Sequence, residues 1–122
     1  MYVAAIGDSL KQFTVANGSL SQIPAHQSSN TFDFRGTTPV VSANGTTAGI
    51  VWALDTIAYQ TGGPAVLHAY DATNVSNVLF VSPASGTGAA GVAVKFTVPT
   101  VANGKVYVGG QGSFTVFALK PN

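Results

Sequence analysis

An all-β chain assembled from repeated four-stranded antiparallel units is the fold class that this sequence predicts. Three observations predict it. Gly, Pro or Asn-Gly interrupts every apolar run before it reaches the ten or so residues a helix wants. The runs are rich in Val, Ile, Phe, Tyr and Thr, which fit a pleated surface better than a helical one. Segments far apart in the chain also resemble one another, as they do in arrays of a repeated unit.

The first expected strand covers residues 2–6 (YVAAI) and stops at Gly7-Asp8. A second covers 10–15, and Asn17-Gly18 then supplies the positive φ angles that a tight hairpin to residues 19–23 needs. Residues 24–30 (PAHQSSN) read as a polar loop. Strands over 38–43 and 50–55 flank a second Asn44-Gly45 turn, and strands over 65–71 and 77–82 follow, with 56–64 and 83–93 as loop insertions. The last group covers 97–101, 105–109 and 113–119, with Asn103-Gly104 between its first two members. That makes about ten strands, each ended by residues that favour turns.

The two ends of the chain align. Tyr2-Val3 falls on Tyr107-Val108, Gly7 on Gly112 and Asp8 on Ser113, an offset of 105 residues. Inside, TPVVSANG (38–45) matches VPTVANG (98–104) with one residue of slack. Four-strand units of about fifty residues are the period of a blade array, in which each unit buries its faces against its neighbours. The expected organisation is one domain over 1–122: an incomplete unit over 1–30, a complete unit over 31–93 and an incomplete unit over 94–122.

The pattern of Pro, an apolar pair, Asn-Gly, a valine-rich strand and an Ala-Leu-Asp or Ala-Tyr-Asp strand end resembles the repeat of pyrroloquinoline-quinone-type bacterial β-propellers. Residues 38–55, 65–80 and 96–120 carry it best, and Leu67-His68-Ala69-Tyr70-Asp71 followed by Val78-Leu79-Phe80 is similar to that family's third strand, turn and outer strand. The resemblance implies a partial β-propeller of about 2.5 blades, roughly the last third of a ring, from an exported or periplasmic parent protein. The chain departs from the family's quinoprotein dehydrogenases where their blades lock together. Its turn reads Asp71-Ala72-Thr73-Asn74-Val75 without Gly, Leu79 or Phe80 takes the tryptophan place, and Trp52 lies in a second strand instead.

Charge is scarce, with five Lys and Arg, four Asp and a net charge of +1. The charged fraction is 7%, against about 25% in an ordinary soluble domain. No nucleic-acid partner and no anionic-membrane partner are expected, since both need clustered cations. Weak repulsion between copies favours self-association, through blade faces and strand edges that an unclosed ring leaves open. Absence of cysteine removes disulfides and thiolate metal sites. Gly7 and Asp8 interrupt the N-terminal apolar run and no basic region precedes it, so no signal peptide is expected within this chain.

Candidate chemistry is thin. Residues 86–91 (GTGAAG) match GxGxxG, yet the following VAVKFTV has strand character, and no acidic residue follows Asp71 to take ribose hydroxyls, so a loop is expected. His68 and Tyr70 share one strand face and could transfer a proton, but they read as packed residues. Asp55 and Asp71 are expected to accept bonds from turn N–H groups two residues on, rather than to hold calcium. His26 reads as solvated, and Asp33 and Arg35 as a surface pair flanking Phe34. Asn17, Asn44 and Asn74 begin glycosylation-like triplets that are read as turn chemistry. No catalytic, cofactor-binding or metal residue is assigned and no cofactor is expected. The expected function is a non-catalytic assembly or interaction scaffold. The alternative is a remnant of a quinone-dependent dehydrogenase that needs further blades to bind its cofactor.

Overall fold

The computed structural model describes residues 1–33 and 35–118. The expected contributions of Phe34, Leu119 and Lys120 lie outside the described residues. The chain is all-β, in small antiparallel sheets of two to four strands, with no closed barrel among the described residues, an arrangement consistent with a partial propeller. The strands are β1 (Tyr2–Val3), β2 (Asp8–Gln12), β3 (Val15–Ala16), β4 (Ser19–Leu20), β5 (His26–Phe32), β6 (Val40–Asn44), β7 (Thr47–Asp55), β8 (Val66–Asp71), β9 (Asn74–Val81), β10 (Thr100–Ala102), β11 (Lys105–Gly110) and β12 (Ser113–Ala118). A single 3-10 turn, Ile57–Gln60, lies between β7 and β8.

Three sheets carry the architecture. The first is ordered β1-β2-β5, the middle one is the meander β6-β7-β8-β9, and the third is β10-β11-β12, while β3 and β4 form a separate small hairpin. Both faces of the inner strands β7 and β8 are covered, so these two read as nearly continuous apolar runs, whereas β6 and much of β9 are exposed. Val51, Ala53 and Tyr70 join Leu10 and Phe32 of the first sheet in one core, with Val75. On the opposite face Leu54 and Leu67 join Val106 and Val108 of the third sheet, together with Ala90 and Ala93 from the long connection between β9 and β10. Alternation along β7 sorts these residues, because successive side chains point to opposite faces of a sheet.

The strand β5 replaces the polar loop expected over residues 24–30. Its inward positions are His26, Ser28, Asn30 and Phe32, so the period of two is present in burial but not in hydrophobicity. Ser28 makes this possible: its Oγ accepts a bond from the buried Leu10 N–H at 3.0 Å and donates to the Asn30 carbonyl at 2.9 Å. A serine placed this way satisfies a buried backbone donor that a bulge between Ser9 and Lys11 removes from the ladder. The expected strand over 19–23 shortens to Ser19–Leu20, and that over 97–101 moves to Thr100–Ala102. Pro99, which cannot donate to a ladder, stands just before β10.

Candidate functional site

The residues singled out in sequence are mostly occupied by the fold. Asp55 accepts a bond from the Ile57 N–H at 2.9 Å, and Asp71 accepts from both the Thr73 N–H and the Thr73 hydroxyl at 2.7 Å. These are the turn-fixing bonds expected of them, and the Thr73 bonds hold the Asp71 carboxyl below its ordinary range. Asp55 pairs with Val66 while Asp71 pairs with Ile50, at opposite ends of the β7–β8 ladder. Five residue steps separate their ladder positions, about 17 Å at 3.4 Å per residue, so they cannot share a cation. Among the described residues, no three of His, Asp, Glu or Cys gather closely enough to hold a metal.

His68 and Tyr70 are packed. Their rings stack at 6.0 Å, and Phe32 meets His68 edge-on at 5.5 Å. Burial pushes the Tyr70 phenol up to about 12, against hydrogen bonding with Asn30 and Ser28 that works the other way. Burial also lowers His68, with Asp55 pulling in the opposite direction. The Tyr70 hydroxyl donates its proton to Asn30 Oδ1 rather than to the stacked imidazole. His26 lies in β5, half-buried and paired with Gln12, rather than in a solvated loop.

The GxGxxG segment opens no helix. Gly86 and Gly88 adopt positive φ, and the chain then packs on the third sheet. A Cβ at Gly91 would lie 1.9 Å from the Ser113 Oγ, and the Gly91 N–H donates to the Thr115 hydroxyl at 3.2 Å. The last glycine of the motif thus serves close approach of a loop to a strand, with no phosphate-binding helix terminus behind it.

One cluster escaped sequence reading. Arg35, at φ +91°, places its guanidinium 5.2 Å from the Phe96 ring centre and 5.8 Å from that of Tyr59, and Lys95 Nζ lies 4.8 Å from the Tyr59 ring. Burial acts against ionisation of the Tyr59 phenol, but hydrogen bonds from Arg35 and Gln60 and the charges of Lys95 and Arg35 hold it below its ordinary value. The residues involved are spread over sixty positions of sequence, so no local pattern announces them. The contacts tie the turn after β5 to the 3-10 turn and to the connection into β10.

A concavity of about 820 Å³ forms a wedge between the middle and third sheets. The Asn44-Gly45 and Asn103-Gly104 hairpins line its mouth, with Trp52, Phe80 and Phe117 inside. Phe80 and Phe117 meet edge-on at 6.0 Å, and the Trp52 indole N–H donates to the Ser42 hydroxyl at 2.9 Å. Among the described residues, none that lines the wedge is charged.

Beyond the wedge, the outward face of the third sheet carries apolar residues that are uncovered among the described residues. Tyr107 stacks on Phe114 at 5.7 Å, Phe114 is 67% exposed, and Val116 stands opposite Tyr107 on β12. Comparison of the chain with protein-family models, with curated proteins and with solved structures finds no match in any of the three.

Proposed function

We propose that the chain is a non-catalytic piece of a β-propeller, of the bacterial pyrroloquinoline-quinone-type repeat, whose uncovered sheet faces act as an assembly surface. Exposure of the Tyr107–Phe114–Val116 face carries this reading. Contiguous aromatic and branched apolar residues on a flat sheet face are disfavoured in water and mark an interaction surface. The low charge of the chain and the edge strand β12, open among the described residues, support the same reading. Asp55 and Asp71 are engaged in their own turns, and His68 and Tyr70 are packed, which leaves those side chains to structure rather than to chemistry.

Size-exclusion chromatography with light scattering tests the proposal. A mass of two or more copies at micromolar concentration is expected. A monomer that stays monodisperse at high concentration overturns it.

A further inference from the structure

The strand pairing places the three sheets in one repeating register. Thr100, Val101 and Ala102 pair with Tyr107, Val106 and Lys105, as Val40, Val41 and Ser42 pair with Trp52, Val51 and Ile50. Trp52 and Tyr107 are therefore equivalent, and the 105-residue offset adds Tyr2 to the set. On the opposite face of each sheet, one position earlier along the same strands, Val51 pairs with Tyr70, Val106 with Phe117, and Met1 exchanges both backbone bonds with Phe13 at 2.8 Å. Phe13, Tyr70 and Phe117 form a second equivalent set.

These two sets build the interfaces inside the chain. Between the first and middle sheets lie Tyr2, whose hydroxyl donates to the Ala72 carbonyl at 2.5 Å, and Tyr70. Between the middle and third sheets lie Trp52 and Phe117. Each interface takes one aromatic residue from the earlier sheet and one from the later sheet. Two members are left over: Tyr107, on the outward face of the third sheet, and Phe13, on the outward face of the first. Their neighbours are left over too. Met1 and Val3 are 49% and 41% exposed, whereas their equivalents Val106 and Val108 are 4% and 1% exposed against the middle sheet.

We infer that a second copy of this chain docks head to tail, setting the Tyr107–Phe114–Val116 face of one copy on the Met1–Val3–Phe13 face of the other, as a continuation of the two interfaces already present within the chain. The inference rests on the assembly reading above and gives it a direction. A contact between two different faces propagates, and it ends either in a ring or in a filament. With three main sheets per copy, two copies bring six, inside the range of about four to eight blades that close a propeller. The expected assembly is a closed dimer with two identical contacts.

Complementation distinguishes this arrangement. Phe114→Asp damages the third-sheet face, and Val3→Asp damages the first-sheet face; Phe13→Ser is a second variant of the latter, and circular dichroism checks that each folds. Each variant alone is expected to weaken dimerisation by at least about 30-fold, as loss of a buried anchor does. Mixed together, Phe114→Asp and Val3→Asp restore a heterodimer, because one intact contact reforms between them. If Val3→Asp and Phe13→Ser dimerise like the parent while Phe114→Asp does not, the third-sheet face pairs with itself and the head-to-tail arrangement is overturned with the assembly reading intact. If the parent chain is monomeric throughout, the assembly reading falls as well.

Discussion

The Tyr70 hydroxyl donates to Asn30 Oδ1 at 2.5 Å, linking the middle sheet to a strand of the first across forty residues of sequence. Tyr70 is fully buried and Asn30 half-buried, and the bond joins those that Tyr2 and Gln12 make across the same interface to Ala72, Thr73 and Val75. Removing the hydroxyl leaves the Asn30 side chain with an unmet acceptor in a largely dry place. Tyr70→Phe is expected to cost about 1–3 kcal/mol, in the range for a broken buried bond. Urea unfolding measures it, and an unchanged midpoint would show that the bond contributes nothing.

His68 makes stability depend on pH in a definite direction. Burial lowers its folded value below 6.5, with Asp55 opposing. Below about pH 6.5 the unfolded chain therefore binds a proton that the folded chain resists, and stability falls as pH drops through that value toward the folded one. The melting temperature is expected to decline between about pH 7 and about pH 5, and His68→Gln is expected to flatten the decline. Asp8 and Asp71 lie below their ordinary values, held by hydrogen bonds from Lys11 and Thr73 respectively, and act only in a lower window, as pH falls below about 4. An equal slope in the parent and His68→Gln would assign the decline to another group.

Much of this fold is legible in the sequence, and the exceptions have a shared cause. The Asn-Gly dipeptides mark hairpins at Asn17, Asn44 and Asn103, each with positive φ at the Asn or the Gly, and the strands around them are Val- and Ile-rich. The turn roles of Asp55 and Asp71 follow from local chemistry alone. β5 is hidden because His26, Ser28 and Asn30 fill its inward positions, and a polar residue is inward only when distant groups satisfy it. Ser28 meets the Leu10 N–H, and Asn30 meets Tyr70. The Arg35, Tyr59, Lys95 and Phe96 cluster is hidden for the same reason, since its members meet only through tertiary structure.

Gly91 is expected to be intolerant of a side chain through sterics rather than backbone conformation. Its Cβ would fall 1.9 Å from the Ser113 Oγ and 3.1 Å from the Ser113 Cβ. Gly91→Ala must push β12 or the 83–93 loop aside, at a cost of about 1–3 kcal/mol for overpacking. Ser113→Gly removes the obstructing atoms, so the double variant should recover most of the loss. A double-mutant cycle in urea measures the coupling, and strictly additive effects would place the strain elsewhere.

The aspartates engaged in turns predict how the chain responds to a quinone cofactor. A quinone with calcium needs several oxygen ligands converging on one point. Here Asp55 and Asp71 stand at opposite ends of one ladder, and each already accepts bonds within its own turn. Any ligand that binds the folded chain and not the unfolded one must raise the melting temperature by mass action. Addition of pyrroloquinoline quinone and calcium in excess is therefore expected to leave both the melting temperature and the quinone absorbance unchanged. A rise in melting temperature that requires both components, and that Asp71→Ala abolishes, would restore the dehydrogenase reading and displace the scaffold one.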